Sequence, residues 1–339
     1  MRGSLFSVLD HTCTPFGRRL LRKWISNPLI QEQQINERLD AVAEILQNWE
    51  SDSIKSLRRG LAGCSDLENG LTMILLRKST PMKFVRFVDE LEKLRVLFLK
   101  HSQADIQQFP ASVLVKGILK NIPSLLGSRL NDLLAQINRP QAEKNDKNNL
   151  FNATDDFYPD VFLARNEIKS IEQKLENYRK TLLPKFLNKL CVEFKCVSGL
   201  EYLVEVKNSE LKSIPSDWIK IGGTKQVTRF RPPFVDESFK ELCRKREQLT
   251  IASSNAWSHF LSTFSCHYDS CKEVIEKIAT FDCLMSLAIV AKQPGYSRPL
   301  FGGDGIEIQD GRHPVLESLL PSDKQYVSND TNLVNGKKV

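Results

Sequence analysis

Eight side chains in one short stretch have the chemistry to hold a polyanion. Lys207, Asn208, Lys220, Thr224, Lys225, Thr228, Arg229 and Arg231 are cations, hydroxyls and one amide, gathered around Gly222-Gly223. Short strands carrying such groups suit phosphate contact, which positions a protein on nucleic acid without reading its sequence. Gly222-Gly223 reads as a turn, where glycine lets backbone N–H groups approach closely. From composition alone a solvated β-turn is the favoured reading of the same stretch.

Other clusters promise less. Cys266, His267 and Cys271 tempt toward a metal, but their helical spacing and apolar setting favour buried core thiols. The eight cysteines never take the C-x-x-C spacing of a zinc site and read as reduced thiols of a cytosolic or nuclear protein. Arg18, Arg19, Arg22 and Lys23 form a basic run that reads, on sequence alone, as a solvated helix face. No Ser-His-Asp set, paired carboxylates or H-x-x-x-H arrangement stands out, and G-x-x-x-x-G-K-[ST] is absent from the 339 residues. We therefore expect neither a catalytic residue, nor a metal, nor a cofactor in this chain.

These groups need elements to position them. Thr14-Pro15 starts a helix, with Phe16, Leu20 and Trp24 on one face and Asn27-Pro28 at its end. Ile35, Leu39, Val42 and Leu46 mark the next helix. Residues 52–137 continue as helical pieces, among them one carrying Phe84, Val88, Leu91 and Leu94, and the polar stretch 138–157 reads as a linker. From Ala164, Ile168, Ile171, Leu175, Tyr178 and Leu182 form a coiled-coil-like seam. After Pro184 the period changes. Val192, Phe194 and Cys196, a Ser198-Gly199 turn, and Tyr202, Val204 and Val206 predict a β-hairpin, with Trp218, Ile219 and Ile221 opening a second extended pair that runs to Phe230. Between Pro233 and Pro294 there is neither Pro nor Gly, which predicts one helix about 80 Å long at 1.5 Å per residue. Ile306 and Ile308 then give a short strand at the opening of another domain.

The balance of 48 Lys+Arg against 41 Asp+Glu, a net charge of +7, permits a polyanionic partner without requiring one. No stretch of about 18 uncharged apolar residues occurs, and the N-terminus carries no secretory pattern. The fold class is mainly α, a long-helix domain with a small inserted α+β module.

Three dispersed segments carry a resemblance. Residues 3–29, GSLFSVLDHTCTPFGRRLLRKWISNPL, resemble the signature that opens the core of the MutS family of DNA mismatch-repair proteins. VEVKNSELKSIPSDWIKIGGTKQVTRFRPPF, within 199–234, resembles that family's clamp, and GRHPV at 311–315 the entrance to its ATPase domain. The clamp is most similar to the eukaryotic branch whose members recognise large loops as half of a heterodimer. The resemblance implies lever and core helices over 1–157, a clamp with a β-rich tip over 158–249, a returning lever over 250–295 and the start of a P-loop ATPase domain over 296–339. It also implies duplex DNA, mismatched or looped, and a second MutS homologue as partners, and a nuclear location. ATP and magnesium belong to the full-length protein, whose P-loop is expected beyond residue 339. The mismatch-reading and connector domains are not in the chain, so it reads as a fragment that embraces DNA without hydrolysing ATP. Tyr326, Val327 and Asn329 match the segment where family members hold adenine, His313 serves the structure of the domain entrance, and the Arg18–Lys23 run serves packing or ion pairing rather than DNA. The competing reading is a helical scaffold with no DNA contact of its own.

Overall fold

The computed structural model describes residues 3–103, 112–125, 133–187, 192–302, 305–321 and 325–334. In chain order its helices are α1 (Leu5–Leu9), α2 (Pro15–Ser26), α3 (Glu32–Gln47), α4 (Asp52–Leu61), α5 (Leu67–Leu75), α6 (Pro81–Gln103), α7 (Val113–Leu125), α8 (Arg139–Glu143), α9 (Pro159–Thr181), α10 (Leu183–Leu187), α11 (Pro233–Phe264), α12 (Tyr268–Ala291) and α13 (Pro314–Leu319). Its strands are β1 (Lys195–Val197), β2 (Leu200–Lys207), β3 (Ile219–Gly223), β4 (Val227–Arg231), β5 (Gly305–Gly311) and β6 (Asn329–Val334). The mainly α class expected from the sequence is the class observed. No described helix is long and apolar enough to cross a membrane.

The chain divides into two compact units, one of residues 1–134 with 263–339, the other of 135–262. In the first, the second half of α12 is buried nearly all round: Phe281 through Ser286, Ala288 and Val290 are inaccessible, continuing the buried stripe of Cys271, Val274 and Ile278. A helix apolar on every side belongs in a core, and α2, α3, α5 and α7 pack around it. α2 begins where expected. Thr14 Oγ1 accepts from Gly17 N–H at 3.0 Å, and Pro15 occupies the first turn, where its missing N–H costs nothing. The predicted stripe Phe84, Val88, Leu91 and Leu94 lies buried on α6, with Phe84 edge-on to Phe264 at 5.3 Å. β5 and β6 pair antiparallel.

In the second unit α9 and α11 run antiparallel. Ile171 and Leu175 of the predicted seam meet Val235 and Leu242, Tyr178 stacks on Phe234 at 4.8 Å, and Lys245 reaches Glu167 at 2.8 Å. Beside them lies an antiparallel sheet of order β1-β2-β4-β3. Ser198 and Gly199, at φ 53° and 79°, turn β1 into β2 as a type I′ hairpin requires. Val204, Val206, Trp218 and Phe230 close this module's core over Leu183 and Val192.

Four expectations need correction. The 233–293 stretch is two helices, of 32 and 24 residues, separated by a 3₁₀ turn at Ser265–His267. The sequence there, Ser262-Thr263-Phe264-Ser265-Cys266-His267, is rich in side chains that compete for backbone carbonyls. The Cys266 thiol donates to Thr263 O at 3.1 Å. Residues 138–157 are not a bare linker. Asn138 and Asp146 cap short turns, Leu150 and Phe151 are buried, and the Arg165 guanidinium donates to the carbonyls of Asn148 and Phe151 at 2.9 Å each. Gly222 and Gly223 lie inside β3, and the chain reverses after them, over Thr224–Gln226. A Cβ on Gly223 would stand 2.8 Å from Val227 O, so close strand approach explains that glycine. Finally, Cys271 is the core thiol foreseen, but Cys266, within the 3₁₀ turn, is exposed. Cys191 lies outside the described residues.

Candidate nucleic-acid interface

The strand register sorts the eight candidates by face, because residues paired across an antiparallel ladder point to the same side. Glu205 pairs with Arg229 and Lys207 with Val227, so Glu205, Lys207 and Arg229 share the face opposite the core residues Val204, Val206 and Phe230. Lys220 pairs with Phe230 and stands on the other side, at the edge strand β3. The register therefore brings Lys207 together with Arg229 and leaves Lys220 apart.

Hydrogen bonding sorts them again. Arg231 is buried, donating to Asp236 Oδ1 at 3.2 Å and Glu201 O at 2.9 Å, with its guanidinium 4.3 Å from the Phe239 ring centre. Asp236, held also by Lys240 at 2.8 Å, titrates below the usual carboxylate range, chiefly because of that lysine and then of Arg231. Arg229 Nε is 2.8 Å from Glu205 Oε1 in a half-buried cross-strand pair. Thr228 is buried, its hydroxyl donating to Asn208 Oδ1 at 2.7 Å. All three groups are thus engaged by partners inside the module.

Asn208 and Thr224 build the β3–β4 turn. Asn208 Nδ2 donates to Thr224 O at 3.2 Å and Lys225 O at 3.0 Å, and its backbone N–H to Gln226 O at 3.0 Å. Thr224 Oγ1 accepts from Gln226 N–H and Val227 N–H at 3.2 Å each. Lys225 projects from this turn and Lys207 from the strand end beside it. Both are exposed and, like Lys220, have no ion-pair partner among the described residues. Two ammonium groups without ion-pair partners among the described residues thus stand at one end of the sheet, and among those residues no group of three or more His, Cys, Asp or Glu side chains could hold a metal.

The remaining candidates lie elsewhere. Tyr326 is half-buried with Arg312 at 5.7 Å from its ring centre, Val327 is 78% exposed, and Asn329 opens β6 opposite Gly311. His313 caps α13, its Nδ1 accepting from Leu316 N–H at 3.2 Å. In the basic run, Arg18 pairs with Asp10 at 2.8 Å, Arg19 holds Asp66 and Glu68 at 2.6 Å, and Arg22 lies 5.0 Å from the Phe6 ring centre.

Sequence reasoning missed one polar centre. Asp282 is fully buried on α12, its carboxylate accepting from Cys13 N–H at 2.9 Å, Thr14 N–H at 2.8 Å and Thr14 Oγ1 at 2.6 Å. Burial pushes its carboxyl up, against the pull of those donors. A Cβ on Gly17 would come within 2.2 Å of Asp282 Oδ2, so the carboxylate and the glycine occupy one cramped joint. Ser286, one turn on, accepts from His11 N–H at 2.8 Å and donates to Leu9 O at 2.7 Å. A lone acid and serine in an apolar helical stripe are the one available signal.

Comparison with known proteins places this geometry. Residues 1–288 match the family described as MutS domain III. The chain is 38% identical over 333 residues to the DNA mismatch repair protein Msh3 of Homo sapiens, an alignment covering 98% of this chain and 29% of that protein. It is 37% identical over 351 residues to Msh3 of Mus musculus, covering 100% and 30%, and 36% identical over 336 residues to msh3 of Botryotinia fuckeliana, covering 98% and 29%. The chain thus spans about three-tenths of the length of the curated relatives it matches.

Proposed function

The chain belongs to the MutS family, and from that premise we propose that it serves DNA mismatch repair by resting the four-stranded module on the backbone of duplex DNA. One observation carries the reading: Lys207 and Lys225 stand exposed and unpaired at the same end of the sheet, while Arg229 and Arg231 are neutralised within it. Ammonium groups so placed neutralise phosphates and release counterions without reading base edges. Lys220, on the edge strand, approaches a backbone only from the opposite face. Asn208, Thr224, Thr228, Arg229 and Arg231 keep the strands and turn in register.

In this reading the protein works as one half of a heterodimer with a second MutS homologue, in the nucleus, on duplexes carrying insertion or deletion loops. The 339 residues contain no P-loop motif, so ATP and magnesium are held by other parts of the complete protein. Tyr326, Val327 and Asn329 would contribute only one wall of an adenine site.

The test is the salt dependence of affinity for a fluorescent homoduplex, measured on the full-length protein. Each phosphate released from Lys207 or Lys225 is worth a slope of about 0.9 in log K against log salt. Replacing both by Ala lowers the slope by about 2. An unchanged slope removes the assignment.

A further inference from the structure

Asn208 looks, by residue type, like one more DNA-contacting amide. Its bonds point elsewhere. Its backbone N–H and side-chain amide together take the three consecutive carbonyls of the β3–β4 turn, those of Thr224, Lys225 and Gln226. The orientation of that amide is fixed in turn, because Oδ1 accepts the buried Thr228 hydroxyl at 2.7 Å. No donor of the side chain is left over for a phosphate beyond the two carbonyls it already serves.

The consequence follows from peptide geometry. In a planar trans peptide the N–H points opposite the C=O. With the Thr224 carbonyl drawn toward Asn208, the N–H of the same peptide, that of Lys225, faces away from it. The N–H groups of Gln226 and Val227 are spent on Thr224 Oγ1, whereas that of Lys225 has no hydrogen-bond partner among the described residues. The turn thus occupies its three acceptors, which would repel an anion, and leaves the Lys225 N–H without a hydrogen-bond partner among the described residues. Without the Asn208 side chain, the carbonyls of Thr224 and Lys225 are released next to that N–H, while the backbone N–H of residue 208 still holds Gln226 O.

We infer that Asn208 is the positioning residue that makes the β3–β4 turn a phosphate seat, acting through Lys225 and not by touching DNA. This rests on the DNA-contact reading above. The experiment is a double-mutant cycle on the full-length protein: wild type, Asn208→Ala, Lys225→Ala and the double variant, each titrated with the fluorescent homoduplex from 50 to 200 mM salt. Losing one phosphate lowers the slope by about 0.9, or about threefold in the affinity ratio across that range. Asn208→Ala is expected to lower the slope as Lys225→Ala does, and the double variant to match Lys225→Ala alone. Additive losses, or an Asn208→Ala protein that binds as wild type, overturn the inference while leaving Lys225 as a contact. If Lys225→Ala itself binds as wild type, the DNA-contact reading falls and the inference falls with it. Should Trp218 emission reveal that Asn208→Ala disrupts the module, Thr228→Val replaces it. That variant removes only the hydroxyl that orients the amide, and it is expected to weaken binding at least twofold in the wild-type background and not at all beside Lys225→Ala. Any weakening beside Lys225→Ala overturns the inference.

Discussion

The first unit's Asp282 joint and the second unit's β3–β4 turn are both networks of polar groups around a glycine that tolerates no Cβ. They do opposite things with their charge. At the joint, a carboxylate with no accessible surface takes the N–H groups of Cys13 and Thr14 and the Thr14 hydroxyl, so the chemistry is consumed in fixing the segment Leu9–Gly17 onto α12. At the turn, an uncharged amide absorbs the backbone acceptors and leaves two cations outside with no ion-pair partner among the described residues. Polar satisfaction in the interior makes structure, and polar satisfaction beneath an unpaired surface charge prepares a site. The distinction lies in which groups remain unspent, not in which residue types are present.

Perturbations should separate the two regions, the largest effect falling on the joint. Asp282→Ala strands two backbone N–H groups and the Thr14 hydroxyl in the interior. We expect about 3 kcal/mol or more of lost stability in urea unfolding. A loss under about 1 kcal/mol would mean that water reaches the joint.

Arg231→Met comes next and sharpens the contrast, because it removes a cation that composition alone would assign to DNA. Asp236 keeps Lys240 as partner, so the cost is about 1–2 kcal/mol of stability with the salt slope of duplex binding unchanged. A slope lowered by Arg231→Met would place this buried guanidinium on the DNA.

Acid provides the smallest effect. Asp66, held chiefly by the Arg19 guanidinium, titrates below the usual aspartate value of about 3.9. A depressed folded value means the pair stabilises the protein above that value and loses its contribution as pH falls through the folded value. Because Arg19 is half-exposed, the Arg19→Met penalty should be under about 1 kcal/mol at pH 7 and shrink as pH falls through the lowered Asp66 value. A penalty that stays constant as the solution is acidified would assign Arg19 a packing role.

Much of the scaffold was readable from local rules. Thr14-Pro15 announces α2 by capping chemistry, the three-four spacing from Ile168 to Tyr178 announces the α9 face that packs on α11, and Ser198-Gly199 announces the β1–β2 turn. What failed had competing causes. Gly222-Gly223 reads as a turn because glycine serves tight turns and close strand approach alike. The helix break at Ser265–His267 contains no Pro or Gly and depends on side chains bonding to their own backbone. The 138–157 stretch is polar enough for a linker, yet Arg165, from α9, ties its carbonyls down. Among the candidates, charge singled out Lys207, Lys220 and Lys225 alike, but only the register separates the first and last from Lys220, and only burial shows Arg231 to be internal. Asp282 was invisible because its partners lie some 270 positions earlier in the chain.

The central claim, that the free ammonium groups at one end of the sheet meet the DNA backbone, is tested most directly by lysine acylation read by mass spectrometry, with and without a saturating homoduplex. The account predicts strong protection of Lys207 and Lys225 and little change at Lys23, which is equally exposed but lies on α2 in the first unit. Equal reactivity of Lys207 and Lys225 in the presence and absence of DNA would contradict it.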